Sequence, residues 1–213
     1  MGTDTNVYFR KWVENIKSQR DIPRTTIIAP YLKQCTKDLE ENCSILDIGC
    51  GWGEVIKELK LSHNYTGIDS NIHLLKYTRR LYSSQKVHLI NVKYPHVELK
   101  QKYDCIFLSM VLHYIPDIEK ALKKTVSSAD KNSIINIITF SDKSQHYLKG
   151  SFTKITKETE LFIRGNIKLP SSIILNNQTI YFHKERCIEK ILSKKNRNIQ
   201  KKYLGNLFVA YKT

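Results

Sequence analysis

No stretch of the 213 residues stays apolar for the roughly 20 positions that a membrane-spanning helix needs. The amino-terminal MGTDTNVYFRKW lacks the apolar core of a secretory signal. Asn6 breaks the myristoylation pattern that Gly2 would begin. These absences lead us to expect a cytoplasmic protein with no membrane partner. Cysteines number five, and no two are spaced C-x-x-C. Neither a disulfide framework nor a zinc site is expected from an odd, scattered set. The seven histidines include no H-E-x-x-H and no pair four apart, so no metal is expected either. Internal repeats and low-complexity tracts are absent. The length suits one domain with a full core and is short for two.

Charge of one sign dominates, with a formal net charge of +15. Residues 141–213 hold 15 Lys and Arg against 5 Asp and Glu, while the first 140 hold 20 against 15. A basic end is the footprint of a binder of nucleic acid or of another anion. The competing account is compositional: Lys, Ile and Asn abound throughout, and solvated lysines need no partner. No RNA-binding module is recognisable, and aromatic residues are not interleaved with the basic ones at regular spacing.

What is present centres on residues 45–59, ILDIGCGWGEVIKEL. Ile45-Leu46-Asp47-Ile48 suits a buried parallel strand. From Glu54 to Leu59, apolar residues at Val55, Ile56 and Leu59 have helical spacing. Between them lies Gly49-Cys50-Gly51-Trp52-Gly53. Alternating glycines allow a sharp turn and the close approach of a ligand. The spacing is G-x-G-x-G, unlike the G-x-G-x-x-G of dinucleotide sites. Asp47, two places before the first glycine, would repel a pyrophosphate and suits a ligand carrying an ammonium or sulfonium charge.

Strand and helix patterns then alternate. Trp12, Val13 and Ile16 suggest an aromatic helix ahead of the first strand, and Thr25-Thr26 offers a cap for a second helix through Leu32. Residues 65–69 read as a second strand ending in Asp69, 20 residues after Gly49, and a helix follows over 74–82. Further strands are expected at 87–92, 103–109 and 133–140, with a helix at 118–128. Residues 141–180 break the rhythm with polar sequence. They read as an inserted lid or substrate loop. A helical stripe at 187–192 and a closing strand at 207–211, reached by a hairpin from 198–203, complete the chain. The whole predicts an α/β fold with a doubly wound, mostly parallel, seven-stranded sheet whose last strand is antiparallel.

The stretch from Asp47 to Gly53, with Asp69 at the next strand tip, resembles motifs I and II of the class I S-adenosylmethionine (SAM)-dependent methyltransferases. The resemblance covers residues 44–140 well and the last 30 loosely. It implies one methyltransferase domain over 1–213: a helical cap at 1–43, a SAM-binding core at 44–140, the insert at 141–180, and a carboxyl-terminal helix and strands at 181–213. It implies SAM as cofactor and S-adenosylhomocysteine as product. Gly49, Cys50, Gly51 and Gly53 would carry the methionine and ribose, and Asp47 would organise the turn and the ammonium. Asp69, with Ser70 beside it, would take the ribose hydroxyls. Asn91, where the family commonly has Asp, would bind the adenine edge with Val92. Ser109 would close the cofactor site at the end of the fourth strand.

His113 follows that strand and is the candidate base, with packing as its alternative role. Tyr8, Tyr31, His146 and Tyr147 are candidate acceptor contacts. The Asn/Asp-Pro-Pro-Tyr signature of adenine-N6 and glutamine methylation is missing, as is the Pro-Cys pair of RNA cytosine-C5 enzymes. The reading is therefore methyl transfer to oxygen or nitrogen of a small metabolite. Two alternatives stay open: an RNA or protein methyltransferase using the basic end, and a SAM-binding subunit without catalysis. The sequence leaves the oligomeric state undetermined.

Overall fold

The computed structural model describes residues 24–60, 62–141, 172–175, 178–181, 183–194, 198–204 and 208–213. The chain divides into two compact units, Met1–Phe107 and Leu108–Thr213.

In the first unit a π-helical turn, Arg24–Ile28, runs into α1, Ala29–Lys37. Thr25 and Thr26, expected as caps, lie inside that turn, and Ile28 precedes α1 without a side-chain cap. Pro30 has no N–H to return to a carbonyl of the preceding turn, so the regular helix begins here rather than at the threonines. β1 (Ser44–Ile48), α2 (Glu54–Lys57), β2 (Asn64–Asp69), α3 (Ile72–Leu81), β3 (Val87–Asn91) and β4 (Tyr103–Ser109) follow. β1 pairs in parallel with β2 on one side and β4 on the other, and β2 pairs in parallel with β3. A strand with neighbours on both edges and packing on both faces reads as an unbroken apolar run. Ile45, Leu46 and Ile48 are accordingly all fully buried. Asp104 ties β1 to β4 at their amino ends: its Oδ2 accepts from Ser44 N at 2.8 Å and from Ser44 Oγ at 2.6 Å.

Two expected helices differ in extent. The helix after the glycine turn is a single turn, because Glu58 N and Leu59 N reach back only three residues, to Val55 O and Ile56 O. α3 begins two residues earlier than expected because Asn71 caps it, accepting from His73 N and Leu74 N.

The second unit opens with a 3-10 turn, Leu112–Tyr114. α4 (Ile118–Ser127) is capped by Asp117, whose carboxylate accepts from Lys120 N. β5 (Ala129–Phe140) starts four residues before the expected Ser133, since extended backbone continues through polar Asp130, Lys131 and Asn132. β6 (Ser172–Leu175) and β7 (Gln178–Tyr181) form a separate antiparallel pair inside the stretch expected to be an insert. α5 (Glu185–Ser193), β8 (Gln200–Leu204) and β9 (Phe208–Lys212) close the chain. β9 runs antiparallel to both β5 and β8. α5 buries Ile188 and Leu192. Its Glu185, 4% exposed, accepts from Lys201 Nζ at 2.6 Å and from Tyr203 Oη at 2.9 Å. Burial works against the Lys201 charge, but bonds to Glu185 and Glu189 hold its ammonium above the ordinary range. One cation of the basic end is thus spent inside the unit.

The seven-stranded sheet has the order β3-β2-β1-β4-β5-β9-β8. This is the expected doubly wound sheet, with the last strand in the chain antiparallel. Among the described residues no helix is long and apolar enough to cross a membrane.

Candidate cofactor site

The turn after β1 depends on backbone conformations that side chains resist. Gly49, Gly51 and Gly53 have φ of 73°, 53° and 91°. The amides of this turn point inward. Gly49 N and Cys50 N donate to Ile68 O at 2.7 and 3.0 Å, and Gly53 N donates to Cys50 O at 2.9 Å. Gly51 N donates to Asp69 Oδ2 at 2.9 Å. A phosphate cradle offers such N–H groups to its ligand. Here four of them are spent inside the protein, and the single turn of α2 adds little dipole. The turn therefore fits a nucleoside ligand without phosphate.

Two side chains of the α3 segment brace the turn, and sequence reasoning missed both. Thr78 Oγ1 donates to Gly51 O at 2.9 Å, and Tyr82 Oη donates to Gly53 O at 3.2 Å. Their spacing of four residues places them on one face, but nothing in the sequence says that this face meets the turn. The packing sets up a test. A Cβ at Gly53 would stand 2.6 Å from Ile56 Cγ2 and 2.7 Å from Tyr82 Cε2, whereas at Gly51 it would meet nothing closer than 4.0 Å. Gly51→Ala should destabilise by about 1–2 kcal/mol through its φ alone. Gly53→Ala should cost roughly 2–4 kcal/mol, because overpacking adds to the same strain. Chemical denaturation measures both, and equal losses would contradict the packing argument.

Asp69 ends β2 with both carboxylate oxygens engaged by amides. Oδ2 accepts from Gly51 N, and Oδ1 accepts from Asn71 N at 2.8 Å. Burial raises its pKa, and bonds from the amides of Asn71, Gly51 and Ser70 work against that. An ionised carboxylate has about four acceptor sites, so each oxygen retains capacity for a ligand hydroxyl. The side-chain cap of α3 is Asn71, not Asp69. Ser70 is exposed. Asn91 Nδ2 and Val92 N both donate to Asp69 O, at 3.0 and 3.1 Å. The Asn91 amide group is thereby oriented with its oxygen as the remaining acceptor.

Asp47 lies beneath the turn, 2% exposed, and accepts from Tyr65 Oη at 2.7 Å. Burial pushes its pKa up to about 7, partly offset by the Tyr65 bond and reinforced by the nearby Glu54 and Asp69 carboxylates. The Cys50 thiol is buried against Gly67, where an added Cβ would stand 2.8 Å from its sulfur. With its amide on Ile68 and its carbonyl accepting from Gly53, Cys50 serves the turn itself.

In the second unit, the Ser109 hydroxyl oxygen is buried with no hydrogen-bond partner among the described residues. The next residue, Met110, has φ 55°, an uncommon conformation for a side-chain-bearing residue, and its N donates to Ile138 O at 2.9 Å. His113 is 5% exposed, its ring 4.1 Å from that of Tyr114 and 4.9 Å from that of Phe140. His183, absent from the sequence expectations, pins the turn that carries His113. Its Nε2–H donates to Leu112 O at 3.0 Å and Ile115 O at 2.8 Å, and burial lowers its pKa. Tyr31 sits on α1 with its hydroxyl toward Cys35, and burial raises its pKa. Tyr8, His146 and Tyr147 lie outside the described residues, as does the aromatic stretch around Trp12.

A family model described as a methyltransferase domain matches residues 46–135. The ubiquinone/menaquinone biosynthesis C-methyltransferase UbiE of Campylobacter jejuni is 28% identical over 198 residues, 88% of this chain and 77% of that protein. A malonyl-[acyl-carrier protein] O-methyltransferase of Acetivibrio thermocellus is 26% identical over 106 residues, 48% of this chain and only 38% of that protein. Among solved structures, the plantazolicin methyltransferase BpumL in complex with S-adenosylhomocysteine superposes with a TM-score of 0.65 at 18% identity, over 99% of this chain and 90% of that one. The matched segment begins within β1 and includes its glycine turn and Asp69. Residues 46–135 carry a methyltransferase domain, and the sheet has the order of the class I SAM-dependent methyltransferase fold.

Proposed function

We propose that the chain transfers the methyl group of SAM to an oxygen or nitrogen atom of a small-molecule acceptor. The observation that carries the cofactor half is the Asp69 carboxylate, fixed by the Gly51 and Asn71 amides with acceptor capacity to spare. In this reading Asp69 takes the ribose hydroxyls, the Gly49–Gly53 turn lies along the methionine and ribose, and Asn91 with Val92 meets the adenine edge. The Ser109 hydroxyl, without a hydrogen-bond partner among the described residues, is kept as a candidate cofactor contact. Asp47 answers its cationic end. When bound, SAM supplies an electrophilic methyl group, and the protein's task is to hold the acceptor in line with it. An oxygen acceptor must shed a proton, and His113 is the residue we assign to take it. A neutral amine needs orientation only.

The small-molecule assignment is supported by the missing nucleic-acid methylation signatures and by the internal use of Lys201. The Acetivibrio relative is named for an O-methyl transfer. The Campylobacter relative is named for a C-methyl transfer, which favours a second reading with a carbon acceptor. Incubation with methyl-labelled SAM and separate pools of phenols, carboxylic acids, amines and quinols, read by mass spectrometry, decides between them. Label on an oxygen or a nitrogen supports the proposal, and label only on carbon overturns it. Label on added RNA or protein alone would return the function to the basic end.

A further inference from the structure

Under the glycine turn lies a buried polar cluster of Asp47, Tyr65 and Cys50, and Tyr65 has no part in the transfer as assigned above. Asp47 stands in the middle of β1 with no ion pair among the described residues. The charged side chains that face it are carboxylates, Glu54 from α2 and Asp69 from the end of β2. From β4 its register partner is Phe107, and the nearest titratable side chain on that strand, Cys105, pairs with Ile45. A cationic ligand would therefore meet a buried carboxylate that the described residues leave without a cation.

Tyr65 is what holds that carboxylate. It is 3% exposed, and its one hydroxyl proton goes to Asp47 Oδ2 at 2.7 Å. The Cys50 thiol lies beside the same hydroxyl. Gly67 makes the room: a Cβ there would stand 3.0 Å from Tyr65 Cε1 and 2.8 Å from Cys50 Sγ. The ring is thus wedged under the turn, and the Asp47 side chain is fixed through one oxygen with the other left to accept.

We propose that Tyr65 is a positioning residue of the methyl transfer, holding the Asp47 carboxyl as receptor for the cationic methionine end of SAM, and that SAM binding expels a proton from Asp47. The inference rests on the SAM reading above. In the balance, the Asp47 O–H bond breaks, the proton goes to solvent, and the ligand's positive charge replaces it beside the carboxylate. Burial disfavours the charged carboxylate until a cation arrives, and the Tyr65 bond favours it. Tyr65 therefore lowers the pH at which the site accepts its ligand.

The test is calorimetric titration of the full chain with SAM between pH 5.5 and 7.5, below the usual α-amino range of about 7.7–8.0. Buffers of different ionisation enthalpy report the proton. Wild type should release close to one proton per SAM at pH 5.5, with affinity rising by up to about tenfold per pH unit and levelling near pH 7. Asp47→Asn should bind with no proton release and a flat profile. Tyr65→Phe should lose about tenfold or more at pH 5.5 and progressively less toward pH 7.5. A loss of the same factor at every pH would reduce Tyr65 to packing and overturn the proposal. Absence of proton release in wild type would overturn it without any variant. No SAM binding by wild type at any pH would instead sink the cofactor reading beneath it.

Discussion

Asp69→Ala is expected to weaken SAM binding by at least about a hundredfold. Two hydrogen bonds from ribose hydroxyls to an ionised carboxylate are each worth roughly 1.5–3 kcal/mol, and both vanish with the side chain. The loss has a second source. Without the carboxylate, Gly51 N and Asn71 N lose the oxygens they now face at 2.9 and 2.8 Å, so the glycine turn and the entry to α3 loosen together. Titration calorimetry measures the affinity, and denaturation of the ligand-free variant measures the loosening. Thr78→Val separates the two. It removes the brace on Gly51 O while leaving Asp69 in place, and should cost affinity only severalfold. An Asp69→Ala variant that still bound SAM within tenfold would mean that the ribose is held elsewhere.

His113→Ala should lower kcat on an oxygen acceptor by about a hundredfold or more, the usual contribution of a positioned base. SAM affinity should change by no more than about twofold, since every cofactor contact we assign is made by other residues. On an amine acceptor the loss should stay below about tenfold, because a neutral amine carries its own lone pair. The enclosure of His113 by Tyr114 and Phe140 gives the test its edge. His113→Phe keeps an aromatic ring in that place without a titrating group. If the imidazole is the base, both variants lose activity alike. If the ring serves packing, the Phe variant keeps kcat while the Ala variant loses stability, and the assignment fails. His183→Ala should lower kcat as well by freeing Leu112 O and Ile115 O, but through the position of the turn.

The sheet was legible because burial writes itself into composition. β1 and β4 are covered on both faces, so their sequences are nearly continuous apolar runs, and the alternation with helices predicts the crossovers. The glycine turn after β1 was legible because positive φ demands glycine at three fixed places. The place of Asp69 at the end of β2, against that turn, was legible from its distance to it in sequence.

Other features leave weaker traces. Thr78, Tyr82, Tyr65 and His183 act across 18 to 71 residues of sequence, and a contact of that kind has no local pattern. The start of α3 was placed two residues late because Asp69 and Asn71 both suit a cap, and the helix takes Asn71. The β6–β7 pair did carry a signal, since Ser-Ile-Ile-Leu and Gln-Thr-Ile-Tyr flank Asn176-Asn177. The polar residues on either side of it outweighed that signal. Pro30 showed where α1 begins, but the π turn ahead of it has no signature in residue type.

The measurement that bears most directly on the whole account is the titration of the wild-type chain with SAM and with S-adenosylhomocysteine. The account predicts one site for each, with dissociation constants in the micromolar range, about −8 kcal/mol. Competition between the two ligands should show that they share it. A chain that binds neither, under conditions where denaturation shows it folded, would contradict the account at its centre.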